Sequence, residues 1–439
     1  MSTKTIVSQS TPSGFSAIAI VRLSGSKALK IAAVLSKKGT PFGTKKPTKL
    51  PVFIGGKKID VALFTAFLSP NSYTGEDIVE ISCHGNIYIC EAILNECVRL
   101  GARLAKPGEY TKRAFLNGKI NLLQAESVAQ LITAKSIEAA EQQIKNLAGG
   151  ATKKIKTLKE KILSCLSHIE YELDVSENTE INKKTLSTIT NSLSDCLKKT
   201  EALKGSFELG SALSYGIKIV FVGKPNVGKS TLVNKILGEE KSITSKKPGT
   251  TRDLISTKTV LSGIPTTLVD TAGIHTTKND IESEGIRRAL LETESSDLII
   301  SLFSWDLEPV DFKEFRNVIN VYNKLDIKPY RGKRKRVYSI SATKGTGVKQ
   351  LLNHIIKRVG TLKKNGAEPL ITTIRQKNAI TEVGVCVSKA LEIFNQEKPE
   401  IEIAAYEIRS AVSNIDLITG KTTTNDILEK VFSTFCVGK

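Results

Sequence analysis

The 439-residue sequence contains no run of 18 apolar residues, no CxxC pair and no long apolar stretch near its start. The first absence argues against a membrane-spanning helix. The opening MSTKTIVSQSTPSG has no apolar core, so no export signal is expected. Seven cysteines (Cys83, Cys90, Cys97, Cys165, Cys196, Cys386 and Cys436) leave one unpaired. With no CxxC spacing among them, neither a disulfide framework nor a zinc site is indicated. A reducing cytosol suits that usage, and a soluble cytoplasmic protein without a membrane partner is expected. Acidic residues are also in deficit: 64 Lys and Arg stand against 44 Asp and Glu, a net charge of +20. Such a surplus predicts attraction to polyanions such as RNA, with a generally basic proteome as the alternative.

What is present is organised around Gly223-Lys224-Pro225-Asn226-Val227-Gly228-Lys229-Ser230. An apolar strand-type run precedes it over 215–222, and a helical pattern follows over 231–237. A loop leaving a strand and entering a helix aims backbone N–H groups and the helix's positive end at one point, where phosphate oxygens can sit. Gly223 and Gly228 let the backbone approach closely. Lys229 is placed to reach the β- and γ-phosphates, and the Ser230 hydroxyl to hold magnesium.

Four further signatures follow in the order a guanine-nucleotide switch needs. In Gly249-Thr250-Thr251-Arg252-Asp253 the Thr251 hydroxyl can complete the magnesium shell when a γ-phosphate is present. Asp270-Thr271-Ala272-Gly273 follows an apolar strand over 265–269; Asp270 can bind magnesium through water, and the Gly273 amide can sense the γ-phosphate. Asn323-Lys324-Leu325-Asp326 ends another strand, and Asp326 is suited to accept from the N1 and 2-amino groups of guanine. Adenine has no such donor pair, so this carboxylate selects GTP. Ser341-Ala342 closes the base pocket. Five signatures in register predict a GTPase. The glutamine that positions water in many small GTPases is replaced by Ile274, which leaves Asp280, Glu282 and Glu284 as candidates. A monovalent cation held by Asn226 and nearby oxygens can offset the γ-phosphate charge.

Around this core the chain divides into a region 1–118 of α+β type, helical segments 119–213 and 362–439, and the GTPase region 214–361 between them. Strand-type runs fall at 5–7, 17–23, 52–54, 61–68 and 77–82, and a helix at 86–100 puts Cys90 and Cys97 on one packed face. One helical run is expected over 122–148. A second has its seam at Ile155, Leu158, Ile162, Leu166, Ile169 and Leu173, and a less regular helix follows over 186–204. Residues 205–216 read as a linker. Helical patterning resumes at Ile374, Ile380, Val383, Val387, Leu391 and Phe394, then over 406–417 and 426–432. Helical blocks flanking an α/β region suggest an insertion, the two blocks forming one bundle. The basic stretch 328–336 reads first as a solvated loop, with RNA contact as the alternative.

With these residues in place, the chain resembles the MnmE (TrmE) family of tRNA modification GTPases over nearly its full length. The resemblance is carried by Ile20-Val21-Arg22-Leu23-Ser24-Gly25, by Ser72-Tyr73-Thr74-Gly75-Glu76-Asp77 through His84-Gly85, and by the run from Lys106-Pro107-Gly108-Glu109-Tyr110 to Lys119. The closing Phe435-Cys436-Val437-Gly438-Lys439 is similar to the family's FCIGK tail. The turn Pro12-Ser13-Gly14-Phe15-Ser16 departs from the family's glycine- and arginine-rich version. The resemblance implies a multidomain α/β protein: a folate-binding-type α+β domain, a helical bundle and an inserted P-loop GTPase domain. It also implies a homodimer built through the N-terminal domains.

Residue by residue, the resemblance implies reduced folate at Arg22, Glu80, Lys119 and Lys439. Magnesium falls to Ser230 and Thr251, and potassium to Asn226, Ser245, the Lys247 carbonyl and Thr250. The implied GTP contacts are Asn226, Val227, Gly228, Lys229, Ser230 and Thr231; Ser245, Lys246, Lys247, Pro248, Gly249, Thr250 and Thr251; Asp270, Thr271, Ala272 and Gly273; and Asn323, Lys324, Asp326, Ser341 and Ala342. Glu282 matches the water-positioning carboxylate and Cys436 a thiol used in the modification. The implied activity adds a (carboxymethyl)aminomethyl group at C5 of the wobble uridine of certain tRNAs, with an FAD-dependent MnmG (GidA) type partner forming a heterotetramer. A GTP switch in ribosome assembly is the reading from another class, and the folate-type motifs and Cys436 weigh against it.

Overall fold

Residues 4–39, 45–175, 183–239, 255–271, 293–309, 317–332, 334, 336–360, 371–422 and 424–438 are described by a computed structural model of the chain. In order, the described elements begin with β1 (Ile6–Gln9), β2 (Ser16–Ser24), α1 (Ala28–Ser36), β3 (Thr48–Ile54), β4 (Lys57–Phe67), β5 (Ile78–Gly85), α2 (Ile87–Arg99), β6 (Arg103–Leu104) and α3 (Glu109–Leu116). Then come α4 (Leu122–Ile132), α5 (Ile137–Leu147), α6 (Gly150–Val175), α7 (Lys183–Gly205), α8 (Phe207–Tyr215), β7 (Ile217–Val222), α9 (Lys229–Glu239), β8 (Ile255–Leu261) and β9 (Ile264–Asp270). The last are β10 (Leu298–Phe303), β11 (Val318–Tyr322), β12 (Val337–Ser339), α10 (Val348–Gly360), α11 (Ile374–Phe394), α12 (Ile401–Thr419) and α13 (Asn425–Phe432). They fall into two compact units, one of residues 1–132, 146–167 and 402–439, the other of 133–145 and 168–401.

In the first unit a six-stranded sheet runs β3-β4-β5-β2-β1-β6, antiparallel except where β6 joins β1 in parallel. Its strands alternate inward and outward, so Val21, Leu23, Phe64 and Ile81 meet Ile31 and Leu35 of α1 and Ile93 and Cys97 of α2 in one core. Asn86 caps α2 by accepting from the amides of Tyr88 and Ile89. Cys90 and Cys97 are both buried on that helix, and burial pushes the Cys97 thiol up to about 12. The end of the chain packs here too. Leu428 and Phe432 of α13, with Phe435, bury against Leu122, Ala125 and Val128 of α4. Gly108, at φ +65°, permits this: a Cβ there would lie 2.6 Å from the Phe432 carbonyl oxygen. Lys159 of α6 and Asp416 of α12 form an ion pair at 2.6 Å.

In the second unit the sheet order is β12-β11-β10-β7-β9-β8, parallel except for β8 at one edge. Near-continuous apolar runs such as Leu298 to Phe303, buried at all six positions, are what a parallel sheet covered on both faces requires. Among the described residues α7 and α11 pair closely: a Cβ at Gly384 would stand 3.3 Å from Thr200 Cγ2, and Cys196 and Val387 are wholly buried. The reciprocal Thr373–Gln376 capping box starts α11.

The structure corrects several local expectations. The helical run over 122–148 is two helices, α4 and α5, broken at 133–136, where Ser136 accepts the Ala139 amide. The expected linker over 205–216 contains α8, whose Leu209, Ala212 and Leu213 join the second unit's core. Helices not anticipated are α1, despite Ala28, Ile31, Ala32 and Leu35 at helical spacing, α3 and α10.

The N-terminal motifs interlock through one largely buried guanidinium. Arg113, 5% exposed, bonds Glu76 at 2.9 Å, Glu109 at 3.0 Å and the Lys4 carbonyl at 2.8 Å. Glu76 accepts from Ser24 at 2.7 Å, and Ser24 meets Thr74 at 2.8 Å. Burial by itself would raise the Glu109 carboxyl. Bonds from Arg103, the Lys106 amide and Arg113 override that and bring it from an ordinary 4.5 down to about 2. A depressed carboxylate contributes stability above its unfolded value and loses it as pH falls through the folded one. The Glu109 contribution is therefore complete above about pH 4.5 and is lost toward about pH 2. Glu109→Gln should cost on the order of 2 kcal/mol at neutral pH after solvent screening. Amide exchange in β2 and α3 should rise in the variant at neutral pH and converge with wild type at pH 2; equal protection at neutral pH would contradict the network's role.

Candidate nucleotide-binding site

Strand β7 lies between β9 and β10, and the loop after it opens at the carboxyl ends of these parallel strands, where α/β sheets bind ligands. Gly223, at φ +153°, passes so close to β10 that a Cβ would lie 2.4 Å from the Leu302 oxygen. Asn226 and Gly228 are also left-handed, at φ +61° and +99°. These turns curl the backbone and deliver the chain to the start of α9 at Lys229. Lys229 is 5% exposed, and its ammonium donates to the Gly223 and Lys224 carbonyls at 2.7 and 3.1 Å. Burial lowers its pKa and the nearby Asp270 charge opposes that, so the loop encloses a cation. An anion matching it suits the site.

At the second residue of that helix, the Ser230 hydroxyl donates to Asp270 Oδ2 at 2.5 Å, and Asp270, at the end of β9, is 2% exposed. A hydroxyl beside a carboxylate is a donor set suited to magnesium, so these two residues fit that ion. The Thr271 hydroxyl donates to the Phe221 carbonyl at 2.8 Å and fastens the start of this motif to β7.

The base side is joined to the phosphate side by one amide. Asn323, 3% exposed, donates from Nδ2 to the Val227 carbonyl at 2.8 Å and accepts the Ala342 amide on Oδ1 at 2.9 Å. A Cβ at Gly228 would lie 2.3 Å from that Nδ2, so the glycine also makes room for the strut. Lys324 is held at φ +63° by its chain and pairs with Asp306 at 3.1 Å. Asp306, in the turn after β10, was not among the residues singled out in the sequence; only an acidic residue after a buried strand marks it. The Asp326 carboxyl is lowered by a hydrogen bond with the Ser341 hydroxyl, which keeps it an acceptor. Val227 is fully buried, whereas Thr231 is exposed on the first turn of α9.

Away from this loop, Arg22 of β2 faces Glu80 of β5 in register and bonds it at 2.7 Å. The same guanidinium lies 5.6 Å from the Tyr110 ring centroid and donates to the Gly438 carbonyl at 3.3 Å. Cys436 is the exposed thiol of the described cysteines, and its carbonyl accepts the Gly108 amide at 3.3 Å.

Comparison with known proteins agrees with this arrangement. Residues 5–119 match the family model described as GTP-binding protein TrmE N-terminus, and residues 122–436 match the MnmE helical domain. The chain belongs to the MnmE (TrmE) family. It is 36% identical to the tRNA modification GTPase MnmE of Thermotoga maritima, covering 99% of this chain and 100% of that one. The Aquifex aeolicus protein of the same name is 35% identical over 99% of each chain. The Francisella philomiragia one is 36% identical over the same shares.

Set against the MnmE family expectations, the structure brings together Arg22, Glu80 and the chain end. Arg22 and Glu80 are each other's partner rather than two separate charges, and a carboxylate in such a pair keeps acceptor capacity for ring N–H donors. That is compatible with a pterin. Lys119 instead bonds the Pro70 carbonyl at 2.8 Å. Ser245, Lys246, Lys247, Pro248, Gly249, Thr250, Thr251, Ala272, Gly273, Asp280, Glu282, Glu284 and Lys439 lie outside the described residues.

The strut yields a direct expectation. Asn323→Ala leaves the Val227 carbonyl and Ala342 amide without their partner, a cost of about 2–3 kcal/mol. GTP affinity should fall at least tenfold. Affinity within twofold of wild type would show that the two loops hold their spacing without it.

Proposed function

We propose that this chain hydrolyses GTP in the service of tRNA modification. The observation that carries the reading is the Asn323 bridge from Val227 to Ala342, by which one buried amide sets the spacing between phosphate and base subsites. Membership of the family adds tRNA as the substrate class. Lys229 and the amides of the loop hold the β- and γ-phosphates, and Asp326 accepts from guanine N1 and its 2-amino group. Ser230 and Thr251 would hold magnesium, and Asn226, Ser245, the Lys247 carbonyl and Thr250 would hold potassium; bound there, the two ions would supply charge compensation to the phosphates. Glu282 orients the attacking water, whose oxygen bonds the γ-phosphorus as the bond to the β–γ bridging oxygen breaks, the water's proton passing to the released phosphate.

The modification proper takes place at C5 of the wobble uridine and adds a (carboxymethyl)aminomethyl group, in a homodimer paired with an FAD-dependent MnmG (GidA) type partner. Arg22, Glu80, Lys119 and Lys439 would hold a reduced folate, which would supply the one-carbon unit when bound. The Arg22 bond to the Gly438 carbonyl and the exposure of Cys436 support a role for the tail beside that folate face.

Glu282→Ala should lower the GTP hydrolysis rate by roughly a hundredfold with GTP affinity nearly unchanged, because a water-orienting group acts mainly in the transition state. Wild-type hydrolysis should be faster in potassium than in sodium. Equal rates in the two salts would remove the cation, and a comparable loss in Asp280→Ala instead would reassign the carboxylate.

A further inference from the structure

The turn after the guanine motif is built rather than loose. Tyr330 sets its ring against Phe303 and Tyr322, with centroids 5.8 and 5.0 Å away. Its hydroxyl accepts the Arg334 amide at 3.3 Å, and the Tyr322 hydroxyl donates to the Lys328 carbonyl at 2.7 Å. A Cβ at Gly332 would fall 2.5 Å from the Tyr330 hydroxyl, so the chain wraps tightly round that side chain. Buried and half-buried aromatics thus pin a segment whose outward residues are cations: Lys328, Arg331, Arg334 and Arg336 are all exposed.

Beside them stands Trp305, the one tryptophan of the chain, 50% exposed, with the Lys328 ammonium 5.5 Å from its ring centroid. Trp305 sits in the turn whose next residue, Asp306, pairs with Lys324. Both halves of the patch are therefore tied to the end of β11. Among the described residues none of these four cations meets a carboxylate. Holding like charges together without counterions is unfavourable in itself, and a polyanion relieves it.

We propose that Lys328, Arg331, Arg334 and Arg336, with Trp305, form an RNA-docking surface, the cations taking backbone phosphates and the half-exposed indole stacking on a base. Cations interleaved with an accessible aromatic match single-stranded or loop RNA, whose unpaired bases have free faces. The inference rests on the tRNA reading above and adds where the RNA lies. An acidic protein is the other partner such charge attracts.

The test is binding of transcribed tRNA to the full chain across a salt series, with GTP hydrolysis measured on the same preparations. In Arg331→Gln/Arg334→Gln/Arg336→Gln, affinity at low salt should fall at least tenfold. The slope of log affinity against log salt should shrink by roughly 2, because each phosphate contact contributes about 0.7 to 0.9. Hydrolysis should stay at the wild-type rate. Trp305→Ala should weaken binding about fivefold or more at every salt concentration with little change of slope. If wild type binds tRNA and the triple variant binds it with the same affinity and slope, the surface is not an RNA site and an acidic protein becomes its partner. If wild type hydrolyses GTP and binds no tRNA, this inference and the tRNA part of the proposed function fail together.

Discussion

The last residues of the chain lie against the first, and the architecture follows from that closure. The Gly438 carbonyl accepts from Ser10 and Arg22, and the Cys436 carbonyl from the Gly108 amide. A side chain at Gly438 would collide with the Gln9 carbonyl, 2.7 Å from its Cβ. Phe432 and Phe435 add the apolar part of the contact. A chain that must return to its starting unit leaves the nucleotide-binding sheet as an excursion between helices, and α7 before it pairs with α11 after it. The contact also joins chemistry to architecture, because the guanidinium that holds the tail is the one that holds Glu80.

Within the excursion a comparable economy operates. Glycine conformations at 223 and 228 set the loop's closeness to β10 and to Asn323, and Asn323 transmits that placement to the base side. Since the strut is buried and both its polar ends are satisfied, moving one loop without the other would strand a buried donor or acceptor. The phosphate and guanine subsites are thereby kept in register by a residue that sequence motifs assign to nucleotide binding but that here spends both ends of its amide on the protein.

Much of this was legible in the sequence because the relevant signals are local. The run expected over 17–23 lies within β2, and the seam from Ile155 to Ile169 is buried as its spacing requires. The described nucleotide motifs, at 223–230, 270–271, 323–326 and 341–342, fall at or just past the ends of β7, β9, β11 and β12, because each demands a loop at a fixed offset from an apolar run. What escaped was decided by tertiary partners. Residues 205–216 carry three glycines and three serines that suggest a linker, yet Leu209 and Leu213 find a core and make α8. The run from Lys106 to Arg113 carries the family resemblance, and within it Glu109 and Arg113 are committed to a buried ionic network that reaches Glu76 and Lys4, far off in sequence. The basic stretch after Asp326 showed its charge but not the aromatic anchor beneath it.

The central claim is that the nucleotide site and the closed N- and C-terminal unit serve one process, tRNA modification driven by GTP hydrolysis. Mass spectrometry of tRNA nucleosides from cells lacking this chain, complemented with either wild type or Lys229→Ala, tests it most directly. The account predicts loss of a C5-substituted wobble uridine in the deletion strain, recovery with wild type and none with Lys229→Ala. An unchanged nucleoside profile in the deletion strain, or full recovery with Lys229→Ala, would contradict it.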